Sequence, residues 1–253
     1  MNWIDKMLIC RLEKISKKLE EANNLEDAKL KLGEELDVFE YSYKESDTDK
    51  KYEFIKEKGM DIFTMGDEIL LCKFRQEDYQ DFVKLQKENA IMTNAFAIEG
   101  FETGLWEEVH QDTVFYTTIR KAIDDTFMGY CGIKNTQRDE LELAIEVLKE
   151  FHGNGYGRQS LTLFMKKVKE MTGIDSFKAL VDCENIASQK MCEACGGIPS
   201  GIEEYLLHDK EYMKKYELEN ANMITKSIEE LAKKFNVRPE KLLTHVLVYR
   251  FKL

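Results

Sequence analysis

Between Leu141 and Gly173 the chain reads LELAIEVLKEFHGNGYGRQSLTLFMKKVKEMTG. An alternating apolar run stops at Leu148 and three glycines fall within five residues. A helical stripe of Leu161, Phe164, Met165, Val168 and Met171 then ends at Gly173. The spacing predicts a strand, a tight turn and a helix. SFKALVD follows as a further strand and NIASQKMCEAC as a further helix, closed by Gly196 and Gly197. Strand, helix, strand, helix requires a parallel strand pair joined by a crossover, which confines the chain to an α/β architecture with a mixed sheet.

Upstream, DIFTMGDEILLCKF reads as two short strands around a Met-Gly-Asp-Glu turn, and the main domain is expected to begin near Asp61. EDYQDFVKLQKEN is helical, with Asp78 near its start. TVFYTTIRK and TFMGYCGIKN are strand-like, rich in β-branched and aromatic residues. Before Asp61, one apolar stripe runs from Ile4 through Leu8, Leu12, Ile15 and Leu19. A second runs from Leu25 to Tyr43 behind Asn24 as N-cap. These predict an N-terminal helical hairpin, and KESDTDKK reads as a solvated linker or helix end. The organisation expected is a helical appendage over 1–60 and an α/β domain over 61–253. A helical insertion over about 209–243 precedes a final strand, HVLVYRFKL.

Composition narrows the function. A formal net charge of -11 opposes nonspecific binding to nucleic acid or anionic membrane. No run of about 18 apolar residues exists, so no bilayer-spanning segment is expected. The first residues carry charges at once, with no secretory pattern, and six scattered cysteines fit reduced thiols, so a cytoplasmic setting is expected. His110, His152, His208 and His245 form no HExxH or similar grouping, and Cys192-x-x-Cys195 lacks a second ligand pair, so no metal site is expected.

The glycine-rich turn carries the chemistry. A strand, a turn and a helix beginning near Gly155 point free backbone N–H groups at one spot, where the helix dipole favours an anion. Gly157 is followed by Arg158 and Gln159, not Lys-Ser/Thr, which excludes a P-loop. The glycines also miss the G-x-G-x-x-G spacing of a dinucleotide fold.

In two places the residues resemble the GNAT superfamily of acetyl-CoA-dependent N-acyltransferases. Its phosphate loop, Arg/Gln-x-x-Gly-x-Gly/Ala, is matched by His152, Gly153, Asn154, Gly155, Tyr156 and Gly157. Its following Asn-x-x-Ser helix with a terminal glycine pair is matched by Asn185, Ser188, Gly196 and Gly197. The Asn-x-x-Ser form is closest to the branch with ribosomal-protein N-terminal acetyltransferases, and the resemblance covers about 69–207 and the last strand. It departs at His152, where Arg or Gln is usual, at Lys149 (Pro) and at Gly197 (Phe). The resemblance implies a GNAT fold: a mixed, mostly antiparallel sheet with a central parallel pair and flanking helices. It also implies acetyl-CoA as acyl donor and an amine as acceptor, joined in a ternary complex. The loop residues, with Arg158, Asn185 and Ser188, are expected to bind the cofactor. Ile145 is expected to supply the oxyanion N–H, and Val147 to pair with the pantetheine amide.

An amine attacks a thioester only when neutral, so a proton acceptor is needed. Glu140, Glu142 and Glu146 lie on the strand before the loop, and the resemblance puts Glu142 in the usual place of the base. The plainer reading leaves all three on a solvated strand face. Cys192 occupies the position where many members carry the tyrosine acid, which leaves Ser188 or solvent to protonate the thiolate. Trp106 reads as core or, with Phe101, as acceptor cleft. SIEELAKKFNVRPEKLL has the cadence of a helix-turn-helix, a rival DNA-binding reading, although its second half runs straight into an apolar strand. A non-catalytic acyl-CoA-binding protein is the other alternative. The hairpin is expected to pack on its own domain or on a second subunit, as in a homodimer.

Overall fold

The structure is a computed structural model that describes residues 62–90, 93–204 and 210–253. The expected N-terminal hairpin and its linker lie outside the described residues. The strands are β1 (Ile62–Met65), β2 (Ile69–Cys72), β3 (Phe115–Lys121), β4 (Phe127–Ile133), β5 (Leu141–Val147), β6 (Ser176–Val181), β7 (Ile198–Glu204) and β8 (His245–Lys252). The α-helices are α1 (Tyr79–Asn89), α2 (Phe101–Glu108), α3 (Tyr156–Thr172), α4 (Ile186–Ala194), α5 (Lys210–Glu219) and α6 (Lys226–Phe235). The strand order is β1-β2-β3-β4-β5-β6-β8-β7 in an eight-stranded, mostly antiparallel sheet, with β5 parallel to β6. The mixed sheet follows from the strand–helix alternation, and its mostly antiparallel order around one parallel pair is the arrangement the family resemblance implies.

The chain forms two compact units that divide β5 between them. Among the described residues the first contains β1 to β4 up to Gly132 and Ile145–Asp175; the second contains Ile133–Ala144 and Ser176–Leu253. In the first unit, period-two alternation sends neighbouring side chains of β3 to opposite faces. Phe115 meets Phe164 of α3, with ring centroids 5.6 Å apart, whereas Tyr116 meets Tyr130 of β4 at 5.0 Å. The Tyr130 face is covered by α1 and α2, where Phe82, Trp106, Phe127 and Leu148 form one cluster. Trp106 is 9% exposed, so its role is core.

In the second unit, β8 pairs antiparallel with both β6 and β7. Gly197 has a packing reason to be glycine: a Cβ there would lie 2.8 Å from the Cys192 carbonyl oxygen and 2.9 Å from the Phe251 ring. Between β7 and β8 the segment folds as α5, a 3-10 turn, α6 and a further 3-10 turn over Pro239–Leu243. Thr225 caps α6 by accepting from the Ile228 N–H, and Asn236 ends it in the left-handed region at φ 55°. The helix-turn-helix reading is overturned here. Past Asn236 the chain forms only five residues of 3-10 helix with Leu242 buried, too short to lie in a DNA groove.

Candidate active site

In the first unit, β5 ends where Leu148 turns its N–H to the Met128 carbonyl at 2.8 Å. The buried Leu148 side chain anchors this point, and a single 3-10 turn over Lys149–Phe151 carries the chain outward. Gly153 and Gly155 then both adopt φ 79°, a conformation that strongly favours glycine. Gly155 is the N-cap of α3, and no side chain caps that end. A Cβ at either glycine would meet nothing within 4 Å. The first N–H groups of a long helix, which have no acceptors within the helix, thus face a cradle with open space above its glycines. Asn154 braces the turn by donating from Nδ2 to the carbonyls of Phe151 and His152, at 3.3 and 3.2 Å. Gln159, in the first turns of α3, ties it to the Glu68 carboxylate at 2.8 Å. Tyr156 and Gly157 are half-buried at the start of α3, and Arg158 is exposed beside them.

His152 is exposed, and its Nε2 lies 2.8 Å from the Val147 carbonyl oxygen, donating in the Nε2–H tautomer. The residue expected to pair with pantetheine therefore already has its carbonyl engaged by a loop side chain. Ile145 and Val147 are half-buried near the end of β5.

The three strand glutamates occupy different environments. Glu146 belongs to the first unit and is half-buried. Its Oε1 accepts from the Tyr130 hydroxyl at 2.8 Å, and its Oε2 accepts from Gln86 Nε2 at 3.0 Å and Asn89 Nδ2 at 3.2 Å. Burial, and then the neighbouring Glu146 charge, hold the Tyr130 phenol well above its ordinary range, so it serves as a donor. Glu142 and Glu140 belong to the second unit. Glu142 is only 5% exposed, which corrects the solvated-face reading. Its carboxylate meets Lys134 Nζ at 2.6 Å and Arg138 at 3.9 Å, so charge pairing offsets the cost of burial. Glu140 takes Arg250 at 2.6 Å, and the hydrogen bonds from that guanidinium hold the carboxyl below its usual range.

In the second unit, Asn185 is the N-cap of α4, its Oδ1 accepting from the Ser188 N–H at 3.0 Å. The Asn-x-x-Ser spacing is thus the spacing of a helix cap and the N–H it satisfies. Ser188 is half-buried. Cys192 lies inward on α4 at 2% exposure, and burial pushes its thiol up to about 12.

Sequence reasoning passed over two features of the first unit. Tyr130, Gln86 and Asn89 converge on Glu146 from separations of 16, 60 and 57 residues, with no local pattern to announce them. Nearby, Asp78 and Arg120 form a buried ion pair, and Asp125 takes both Arg120 and a two-pronged contact from Arg75 at 3.0 Å. These charges line a cleft of about 700 Å³ with Phe151 and Leu148, and they fasten the start of α1 to the β3–β4 turn. No group of three or more candidate metal ligands occurs among the described residues, and no helix among them is long and apolar enough to cross a membrane.

Residues 68–198, more than half of the chain, match the model of the acetyltransferase (GNAT) domain. No curated protein matches the sequence. Among solved structures, the ribosomal L7/L12 alpha-N-protein acetyltransferase RimL is 13% identical with a TM-score of 0.51, over 77% of this chain and 95% of that one. The ribosomal-protein-S5-alanine acetyltransferase of Vibrio fischeri is 13% identical with a TM-score of 0.50, over 75% and 95%. The microcin C7 self-immunity acetyltransferase MccE, solved with acetyl-CoA and AMP, is 11% identical with a TM-score of 0.51, over 74% and 94%. At such identities the structural likeness speaks for the fold, and it agrees with the family match: the chain belongs to the GNAT acetyltransferase family.

Proposed function

We propose that this protein is an N-acetyltransferase that moves an acetyl group from acetyl-CoA to an amine in a ternary complex. The observation that carries this reading is the uncapped start of α3 behind two left-handed glycines with open space above them. A cradle of that kind suits a pyrophosphate, whose charge is met by backbone N–H groups and the helix dipole. Acetyl-CoA supplies an activated thioester when bound. The roles of this chain are to hold it, position the amine and manage protons. Loop residues 152–158 take the phosphates. The Ile145 N–H steadies the oxyanion that forms as the amine nitrogen bonds to the acetyl carbon. The carbon–sulfur bond then breaks, the proton lost by nitrogen passes to Glu142 directly or through water, and the departing thiolate takes a proton from solvent, directly or relayed through the Ser188 hydroxyl, which regains its own from water. The five free cysteines among the described residues suit a reducing, cytoplasmic setting.

A second reading, an acyl-CoA-binding protein without turnover, draws on Cys192, which is buried at a position where many family members carry a tyrosine acid. Release of free thiol from acetyl-CoA across an amine panel separates the two. The enzyme releases thiol with at least one amine; the binder takes up CoA and releases none. Within the enzyme reading, Glu142→Gln should lower turnover while sparing CoA binding, and the loss should ease at higher pH as more amine becomes neutral unaided. A full rate with an unchanged pH profile would remove Glu142 from the mechanism.

A further inference from the structure

Lys121, the last residue of β3, brings an ammonium group to the glycine turn without a counter-charge from the described residues. Alternation along β3 separates it from its neighbour. Arg120 lies on the α1 face, where it pairs with Asp78, whereas Lys121 shares the face of Phe115, which meets Phe164 of α3. Two sets of contacts fix its place at the start of α3. Lys121 pairs with Ile69 of β2, and the adjacent Glu68 is tied to Gln159 of α3 at 2.8 Å. Its Nζ stands 5.0 Å from the centroid of the Phe151 ring, and that ring lies 6.5 Å from the ring of Tyr156, the first residue of α3. Arg75, Lys84 and Arg120, which line the cleft that Phe151 borders, meet Asp125, Glu150 and Asp78 respectively. Lys121 is half-buried, and among the described residues no carboxylate lies within ion-pair distance of it. The face of a ring attracts an ammonium and restricts where it sits, but it leaves the full positive charge to be met by an anion.

We propose that Lys121 binds the 3′-phosphate of CoA and is the residue by which this chain prefers CoA to dephospho-CoA. The inference rests on the acetyltransferase reading, in which the glycine turn takes the pyrophosphate. Backbone N–H groups serve the pyrophosphate there, and the Phe151 ring holds the ammonium to one side of them. The 3′-phosphate hangs from the ribose that also carries the pyrophosphate, so only a short reach separates the two groups of the ligand. As a monoester it holds about two negative charges at neutral pH. A compact ammonium meets such a group as a point charge, without the forked geometry of arginine. The turns on either side of Lys121 carry Asp67, Glu68 and Asp124, so a monoester placed there without the lysine would be repelled.

Calorimetry at pH 7 on the full chain, with CoA and dephospho-CoA as probes, tests this. The wild-type protein should bind CoA about tenfold more tightly than dephospho-CoA, the gain expected of one charge-assisted contact. Lys121→Met should remove most of that preference by weakening CoA, while dephospho-CoA stays within about twofold of its wild-type affinity. Lys121→Arg, which keeps the charge, should retain much of the preference. Added salt should shrink the wild-type preference, because the contact is between charges at a half-buried position. The wild-type comparison stands even if a variant fails to fold. Equal affinity of the wild-type protein for the two ligands, or a preference that survives Lys121→Met, would overturn the proposal while leaving the pyrophosphate site intact. Equal weakening of both ligands by Lys121→Met would move the lysine to the pyrophosphate and overturn it as well. Binding of neither ligand would overturn the acetyltransferase reading and this inference together.

Discussion

Gly129 and Gly132 in β4 stand where a Cβ would come within 2.0 Å of the Glu146 and Phe115 carbonyl oxygens, whereas Gly153 and Gly155 in the turn after β5 have nothing within 4 Å. Both pairs belong to the first unit, and both are glycine because a side chain does not suit the place, but for opposite reasons. In the strand the obstruction is the protein's own backbone, so the absence of Cβ is used up in folding. In the turn the requirement is a left-handed backbone, and the space where side chains would stand is left over. Crowded glycines therefore report on stability, whereas the open pair before α3 leaves the space that the proposed pyrophosphate site uses.

The sharpest way to break this contrast is to add one methyl group at each kind of site. Gly132→Ala must displace the β3 backbone and should cost about 3 kcal/mol, read by denaturant unfolding. A loss below about 0.5 kcal/mol, the range of an ordinary surface change, would show that the strands separate freely there. The carboxylates of the β5 segment extend the contrast from occupied and open space to occupied and open charge. Lys134→Met leaves the nearly buried Glu142 without its ammonium partner, Arg138 being 3.9 Å away, and should cost about 2 kcal/mol. Lys84→Met, which breaks the exposed pair with Glu150, should cost about 0.5 kcal/mol or less. Equal losses in the two variants would mean that Glu142 is better solvated than its burial indicates.

Effects smaller than those of Gly132→Ala and Lys134→Met are expected at the open positions. Gly155→Ala meets no neighbour and bears only the penalty of φ 79°, about 1 kcal/mol, so the protein should fold with a slightly lowered melting temperature. A small effect is also expected at the Glu140–Arg250 pair, whose side chains are 36% and 46% exposed. Its contribution should be under about 1 kcal/mol. The sign is set by Glu140, whose folded pKa lies below its ordinary value near 4.5, chiefly through hydrogen bonds from Arg250. A depressed carboxyl stabilises fully above the ordinary value and loses that contribution as pH falls through the lower folded one. The difference between wild type and Glu140→Gln should therefore shrink below about pH 4.5. A difference that grows on acidification would contradict the pairing.

Features legible in the sequence are the local ones. The β5–turn–α3 unit was legible because alternation, clustered glycines and a helical stripe each lie within a few residues, and Gly173 closes α3 at φ 73° as expected. The Asn185 cap was legible for the same reason. β7 gave no clear strand pattern, because Pro199 and Gly201 interrupt its alternation. The structure shows the pairing with β8 shifting register between Pro199 and Ile202, a bulge that an edge strand tolerates. α2 was obscured by Gly104 in its interior, so Trp106 stood between core and cleft until its packing against Phe82 and Tyr79 placed it in the core. The surroundings of the three glutamates depend on Lys134, Arg250, Tyr130, Gln86 and Asn89. No periodicity shows that these side chains converge.

The central claim is that the open glycine turn binds the pyrophosphate of CoA. Calorimetric titration of CoA into wild type and folded Gly155→Glu tests it most directly, because the new carboxylate adds bulk and negative charge at a position where the folded protein leaves space. CoA should bind the wild-type protein, and the variant should lose at least tenfold in affinity while retaining a cooperative melt. Undiminished CoA affinity in a folded Gly155→Glu protein would contradict the assignment.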